Sequence, residues 1–188
     1  MSLRSPRLSE VHFPRMIARA VLCCLMALAL GMPAFAQSNT NPSGLPLPRF
    51  VTTRSEPINV RVGPGTRYDV AWVFVKAGLP VEIIQEFDTW RKIRDLDGQE
   101  GWVHQNLLTG TRAAYVTPWI SDNQVPLRAG RDNTAGVRAW LTSRLLLQIA
   151  NCDGAVCAVS TRDDTGRTFS GFVGQADLWG VYPDEKFN

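Results

Sequence analysis

From Phe50 onward, short runs of β-branched and aromatic residues recur between Gly, Pro, Asp and Asn, and no stretch keeps the apolar spacing of a helix. The pattern predicts a succession of short strands. The clearest are Val70–Val75, Val81–Ile84, Trp90–Arg94 and Gly101–His104, with a hairpin turn at Asp97 and Gly98 between the last two. Strand alternation sets Asn59 and Arg61 opposite to Val60 and Val62, and Trp102 and His104 opposite to Val103. Trp90 and Ile93 stand three apart, so burying both calls for a bulge. After Gly63, the sequence Gly63-Pro64-Gly65 allows a sharp reversal of the chain.

A shift of about 66 to 70 residues lays the second half of the chain on the first. NVRVG at 59–63 meets PLRAG at 126–130, placing Arg61 on Arg128 and Gly63 on Gly130. GWVHQNLL at 101–108 meets GFVGQADL at 171–178, placing Gly101 on Gly171 and Leu108 on Leu178. The sequence thus predicts two tandem copies of one small all-β domain, at 50–110 and 113–185. Each is near the lower size limit for a core stable alone, so packing between copies or a covalent staple is expected to help.

The residues before Phe50 read differently. Arg4, Arg7, Arg15 and Arg19 precede an uncharged Leu- and Ala-rich run, and Ala34-Phe35-Ala36 makes a small-residue cleavage site before Gln37. Residues 1–36 are expected to be a cleaved secretory signal peptide. A retained anchor is the competing reading, but the apolar stretch of about 17 residues, interrupted by Gly31 and Pro33, is at the short limit for a span. Neither Cys23 nor Cys24 follows the small residues of a lipid-attachment box. Residues 37–49, QSNTNPSGLPLPR, have the composition of a disordered tether. The mature chain is therefore expected to be periplasmic or secreted, without stable membrane insertion.

Charge and cysteine usage narrow the chemistry. The full chain carries 20 Lys and Arg against 17 Asp and Glu; removing four Arg and Glu10 with the signal leaves 16 of each. A chain of zero formal charge has no broad electrostatic reason to seek nucleic acid or an anionic membrane, where clustered Lys and Arg dominate affinity. After processing, Cys152 and Cys157 remain, in NCDGAVC, where they face each other across a hairpin; in an oxidising compartment a disulfide is expected. Closing so short a loop contributes roughly 2 kcal/mol in the chain-entropy model. The same positions 66 residues earlier are Glu86 and Arg91, an opposite-charge pair, so both copies are expected to clamp one hairpin by different means. C-x4-C with one histidine supplies too few ligands for a metal, and neither metal nor cofactor is expected.

Catalysis fits poorly. His104 is the sole histidine after processing, no nucleophile elbow, paired-histidine metal motif or phosphate loop occurs, and both remaining thiols are expected to be oxidised. Glu82, Glu86 and Asp88 offer carboxylates for a glycosidase pair, but exposed strand carboxylates are the commoner explanation.

INVRVGPGTRYDV, then KAGLPVEII, TWRKI, DG and EGWVH, resembles the bacterial SH3-like domain element by element over Phe50–Gly110. The second copy, Tyr115–Tyr182, matches less well. Its closing DLWGVYPDE resembles the end of a tandem SH3-like family of exported bacterial proteins. The resemblance implies two small half-open β-barrels that act as non-enzymatic binding modules, often at the cell wall. Catalytic neighbours are frequent in such proteins, and these 188 residues are expected to leave no room for one. It also implies that the turn after Gly63 lies near the WRKI and GWV strands. Tyr68, Trp90 and Trp102 then form a shallow aromatic platform, with Asp69 and His104 as polar contacts, suited to peptidoglycan, its stem peptides or another envelope peptide or protein. An interaction or regulatory subunit of an envelope complex is the alternative reading. Trp102 and Trp72 are also expected in the core on the competing view. In the second copy Gly65, Tyr68 and Asp69 give way to Asp132, Ala135 and Gly136, and Trp102 to Phe172, so that copy is expected to have lost the site. Trp179, Tyr182 and Pro183 are expected to dock on their own barrel or on the first, and Trp119 and Trp140 to serve the core or the contact between copies.

Overall fold

A computed structural model of the chain describes residues 41–117 and 124–188. The expected signal peptide with Cys23 and Cys24, residues 37–40 of the linker, and Trp119 lie outside the described residues. Among the described residues the regular structure is strand, apart from two short 3-10 turns, and no helix is long and apolar enough to cross a membrane.

The first sheet comprises β1 (Arg49–Thr53), β2 (Ile58–Arg61), β3 (Val70–Phe74), β4 (Pro80–Phe87), β5 (Trp90–Arg94), β6 (Glu100–His104) and β7 (Leu108–Thr109). The second comprises β8 (Ala113–Val116), β9 (Gln124–Arg128), β10 (Val137–Thr142), β11 (Leu146–Asp153), β12 (Val156–Arg162), β13 (Thr168–Gly174) and β14 (Leu178–Trp179), with β15 (Lys186–Phe187) added to β11. Their spatial orders are β3-β2-β6-β5-β4-β1-β7 and β10-β9-β13-β12-β11-β8-β14, one order with every number raised by seven. The two copies of one β domain expected from the repeat are therefore present, each a curled half-open sheet of the SH3-like kind that the resemblance implies.

Alternation builds the two cores. Ile58 and Val60, Val81 and Ile83, Ile93, Val103 and Leu108 close the first. Their counterparts Val125 and Leu127, Leu147 and Ile149, Val159, Val173 and Leu178 close the second. Where the strands cross most closely there is no room for a side chain: a Cβ on Gly101 would meet Val60 and the Arg61 carbonyl, and one on Gly171 would meet the Arg128 carbonyl and Leu127.

The bulges repeat too, though not where the spacing of Trp90 and Ile93 suggested. The β5–β6 register runs unbroken from Trp90↔His104 to Arg94↔Glu100, with Ile93 inward and Trp90 outward, so their odd spacing is ordinary alternation. The irregularity sits in the partner strand, between Ile83 and Gln85 in β4 and between Ile149 and Asn151 in β11. One extra residue there reverses the parity of the strand beyond it. Glu86, which simple alternation would put on the face of Glu82, turns inward opposite Arg91, and Cys152 turns inward opposite Cys157.

At this inward position the second barrel carries the Cys152–Cys157 disulfide, with both residues buried. The first carries an ion pair, Arg91 Nε lying 3.2 Å from a Glu86 carboxylate with no solvent exposure. Arg91 also donates to the carbonyls of Asp88 and Trp90 and to Gln105 Oε1. The second oxygen of Glu86 accepts from Ser43 N at 2.9 Å, while Ser43 Oγ and Arg49 donate to the first. These contacts hold residues 43–49 on the barrel, and Leu47 packs against its core. The described part of the linker thus departs from a free tether, because a buried carboxylate with lone pairs left over draws in donors from it.

Glu82 is also buried rather than an exposed strand carboxylate. It joins the barrels: one oxygen accepts from Arg94 Nε and Nη2 at 2.9 and 2.7 Å, and the other from the Tyr182 hydroxyl at 2.7 Å. Phe50, directly across from Glu82, meets the Trp179 ring at 5.1 Å and the Tyr182 ring at 4.8 Å. Trp179 and Tyr182 make both of the dockings expected for this segment, onto the first barrel through Phe50 and Glu82 and onto their own through Tyr115 and Gln175, whereas Pro183 is exposed. Trp140 serves neither core nor inter-barrel contact; it is 60% exposed on the edge strand β10.

Two predictions follow from these contacts. Glu86→Gln leaves Arg91 buried without a counter-charge and is expected to cost about 3 kcal/mol in urea unfolding. Burial raises the Glu86 carboxyl, but the Ser43 and Arg49 hydrogen bonds outweigh it and hold the group below the ordinary value. Its stabilisation is therefore complete above about pH 4.3 and lost as pH falls through the lower folded value, and the variant's acid limb should be flatter there. Tyr182→Phe removes a hydrogen bond to a buried carboxylate and is expected to cost about 1.5 kcal/mol in the same assay.

Candidate functional site

The outer face of β5 and β6 is set by the same alternation that buries Ile93 and Val103. Trp90 lies directly across from His104, Lys92 from Trp102, and Arg94 from Glu100, while Arg61 of β2 stands on the other side of Trp102. Trp90 and His104 meet edge to face, centroids 5.5 Å apart at 84°. His104 Nδ1 accepts from Asn106 N at 3.3 Å, capping the 3-10 turn 105–107, which leaves Nε2 as the ring's proton-bearing nitrogen in the neutral form. Lys92 pairs with Glu100 at 2.6 Å beside them.

Trp102 occupies the middle of this row yet is only 9% exposed. It is buried without belonging to the inward-facing core, so it supports the face more than it presents itself on it. Trp72 does pack on the core, with Phe74 at its edge.

The turn between β2 and β3 is pinned to this row by Arg61, whose Nη1 donates to the Tyr68 carbonyl at 2.7 Å, and by Val62 N, which donates to the Asp69 carbonyl at 3.1 Å. The Tyr68 ring lies flat over Gly63. A Cβ there would stand 2.5 to 2.7 Å from three ring carbons, which explains the glycine without any appeal to its backbone angles. The Arg67 guanidinium sits 5.1 Å from the Tyr68 ring centroid and donates to its hydroxyl at 3.3 Å. Asp69 is exposed at the turn's end. The structure thus brings Trp90, Trp102 and His104 into one row and places Tyr68 and Asp69 on an adjoining turn, where the ring partners of Tyr68 are Gly63 and Arg67 rather than the tryptophans. The face is a shallow surface of half-buried rings edged by Arg61, Arg67, Lys92 and Asp69, suited to amides and apolar stems.

Among the described residues no group of three or more His, Cys, Asp or Glu is placed to hold a metal ion. Of the three carboxylates considered for acid–base work, Glu82 is committed to Arg94 and Tyr182 and Glu86 to Arg49 and Arg91, while Asp88 is exposed at the hairpin turn. Sequence reasoning passed over the corresponding face of the second barrel, where Arg128, Val156, Phe172 and Gly174 line a cleft with Asp177. The repeat already showed small residues there; their significance is that they leave space.

This architecture, a strongly bent sheet with a turn folded over its outer β2–β6–β5 face, defines an SH3-type barrel. Residues 54–110 match the model of the bacterial SH3 domain, and the first barrel is similar to domains of that kind. No curated protein matches the chain. Two solved structures are similar in part, those of NlpC2 and NlpC1 from Trichomonas vaginalis. They share 12% and 14% sequence identity with it, and the matches cover 70% and 79% of this chain at a TM-score of 0.29 each. The matched parts amount to 48% and 50% of those proteins, so the chain spans about half their length.

Gly63→Ala is expected to displace the Tyr68 ring and to cost about 1 to 3 kcal/mol, as overpacking does. Urea unfolding gives the cost, and the NMR shifts of the Tyr68 ring protons report the displacement.

Proposed function

We propose that the protein is an exported, non-enzymatic binding protein of the bacterial cell envelope, and that its first barrel recognises peptidoglycan or its stem peptides. The observation that carries this reading is the bacterial SH3 domain at 54–110, joined to an outer face on which Trp90 and His104 form a ringed surface beside Tyr68 and Asp69. Domains of this class are associated with cell-wall material. A disulfide at Cys152–Cys157 is in keeping with an oxidising compartment outside the cytoplasm. Binding rather than catalysis is further supported by the engagement of Glu82 and Glu86 in structural ion pairs. Trp90 and Tyr68 supply contact area, Asp69 and the Nε2 proton of His104 supply polar recognition, and Trp102 backs them.

The test is co-sedimentation of the processed chain, residues 37–188, with protein-free peptidoglycan sacculi. Saturable binding is expected, weakened at least about tenfold by Trp90→Ala or Tyr68→Ala in variants that keep the wild-type unfolding midpoint. Absence of binding by folded wild type overturns the wall reading and turns the search to in-cell crosslinking for an envelope protein partner.

A further inference from the structure

On the second barrel, at the place that corresponds to the Trp90–His104 face of the first, there is a cleft of about 430 Å³. The correspondence is one of register. Arg128 pairs with Phe172 as Arg61 pairs with Trp102, and Val156 pairs with Gly174 as Trp90 pairs with His104. The backbone of the first barrel's face is therefore repeated with two rings removed. Losing the aromatics was expected to make this copy a purely structural partner; instead it opens a space of ligand size.

The cleft is lined by Arg128 and Arg131, with Asp132 beside them, and by Asp177. The Arg131 guanidinium lies 5.1 Å from the Phe172 ring centroid and is held from behind by Asp153 and by Asn151 Oδ1 at 2.7 Å. Arg128 is held at the same end by the Ala135 carbonyl, 3.0 Å from its Nη1. Beside Gly174, two residues beyond Phe172 along β13 and so about 7 Å away at strand spacing, Asp177 of the following 3-10 turn closes the other end. One of its carboxylate oxygens lies 2.8 Å from where a Cβ on Gly174 would stand. The side chain of Gly174 is absent and cannot cap the 3-10 turn as His104 does, and among the described residues no donor satisfies the Asp177 carboxylate. Partial burial without a partner pushes its carboxyl up. Asp132, also in the lining, already accepts from Thr134 N and its hydroxyl. A carboxylate without a donor among the described residues beside Gly174, and anchored guanidinium groups beside Phe172, match a ligand that is cationic at one end and anionic at the other. At 3.3 to 3.6 Å per residue, an extended dipeptide spans about that distance.

We propose that the second barrel's cleft binds a free zwitterionic dipeptide, its ammonium at Asp177, its carboxylate at Arg128 and Arg131, and its small side chains against Phe172 and Val156. This goes beyond the reading of the first barrel, and neither site needs the other.

The experiment is an NMR titration of the isotope-labelled processed protein with alanyl-alanine, in the L,L and D,D forms, and with the N-acetylated and C-amidated versions of each. Saturable shifts are expected at Val156, Phe172, Gly174 and Asp177 with at least one enantiomeric series, and either blocked peptide should bind at least about tenfold more weakly, the worth of one charge-assisted hydrogen bond. Val156→Trp puts back the bulk the first barrel has and should abolish the shifts. Asp177→Asn, which keeps shape and fold, should erase the preference for the free over the acetylated peptide. No shifts in either series, shifts confined to the first barrel, or equal binding of the blocked peptides would overturn the proposal. The sedimentation assay reads Tyr68 and Trp90 while this one reads the second barrel residue by residue, so failure of one leaves the other standing.

Discussion

One extra residue in the longest strand of each barrel, Ile84 in β4 and Ala150 in β11, governs what happens at the hairpin tip. Without it, alternation would carry Glu86 and Cys152 to the outer face, and the tip of each hairpin would have only its turn to hold it. With it, the two positions point inward, where an unbonded polar group is costly and a bonded pair is shielded from water. The strand geometry thus demands a clamp at this place and leaves its chemistry open. One barrel answers with a covalent bond, the other with a buried ion pair.

The two answers have different consequences for the surrounding chain. A disulfide needs no further partners, and the neighbouring edge of β11 is free to pair with β15 at Cys152↔Phe187. A buried carboxylate has lone pairs left over, and these draw in Ser43 and Arg49. In both barrels the long central hairpin is thereby covered by a segment from outside the seven-strand order, the chain before β1 in one case and the chain after β14 in the other. Each cover also removes polar backbone or side-chain groups that an open sheet would leave exposed.

The fold was legible because its signals are local. The Asp97-Gly98 turn, the alternation in WRKIR and EGWVH, and the glycines at 101 and 171 each specify geometry within a few residues. The hairpin clamp was legible because the offset between copies aligned Glu86–Arg91 with Cys152–Cys157. What sequence could not reveal depends on contacts between distant segments. Nothing near residue 43 says that Ser43 will meet Glu86, and nothing near Glu82 says that Tyr182, a hundred residues on, will donate to it. The odd spacing of Trp90 and Ile93 in β5 draws attention to that strand, whereas the register shift lies in β4, where the adjacent Ile83 and Ile84 give no spacing signal of the extra residue. At the site, residue types were readable but their depth was not. Trp102 is nearly covered on a face that the pattern marks as outward, and Trp140 is uncovered where its size suggested burial.

The outer β2–β6–β5 face shows how a duplicated scaffold diverges without altering its backbone. Arg61 and Arg128 make the same hydrogen bond, each to the carbonyl of the residue seven positions on, Tyr68 and Ala135, so the covering turn is held alike in both barrels. Given that fixed frame, the character of the face is decided by side-chain volume at a few paired positions. Trp90 with His104 fills it and offers ring surface to a ligand lying across it; Val156 with Gly174 hollows it and offers an interior. A filled face favours extended, weakly specified contact, since rings and amides meet in many orientations. A hollow one with fixed charges at its two ends discriminates by length and by charge, because a ligand that lacks either end leaves a desolvated group unpaired. Under the two proposals the barrels are complementary, one meeting a ligand across a surface and the other enclosing a short charged peptide.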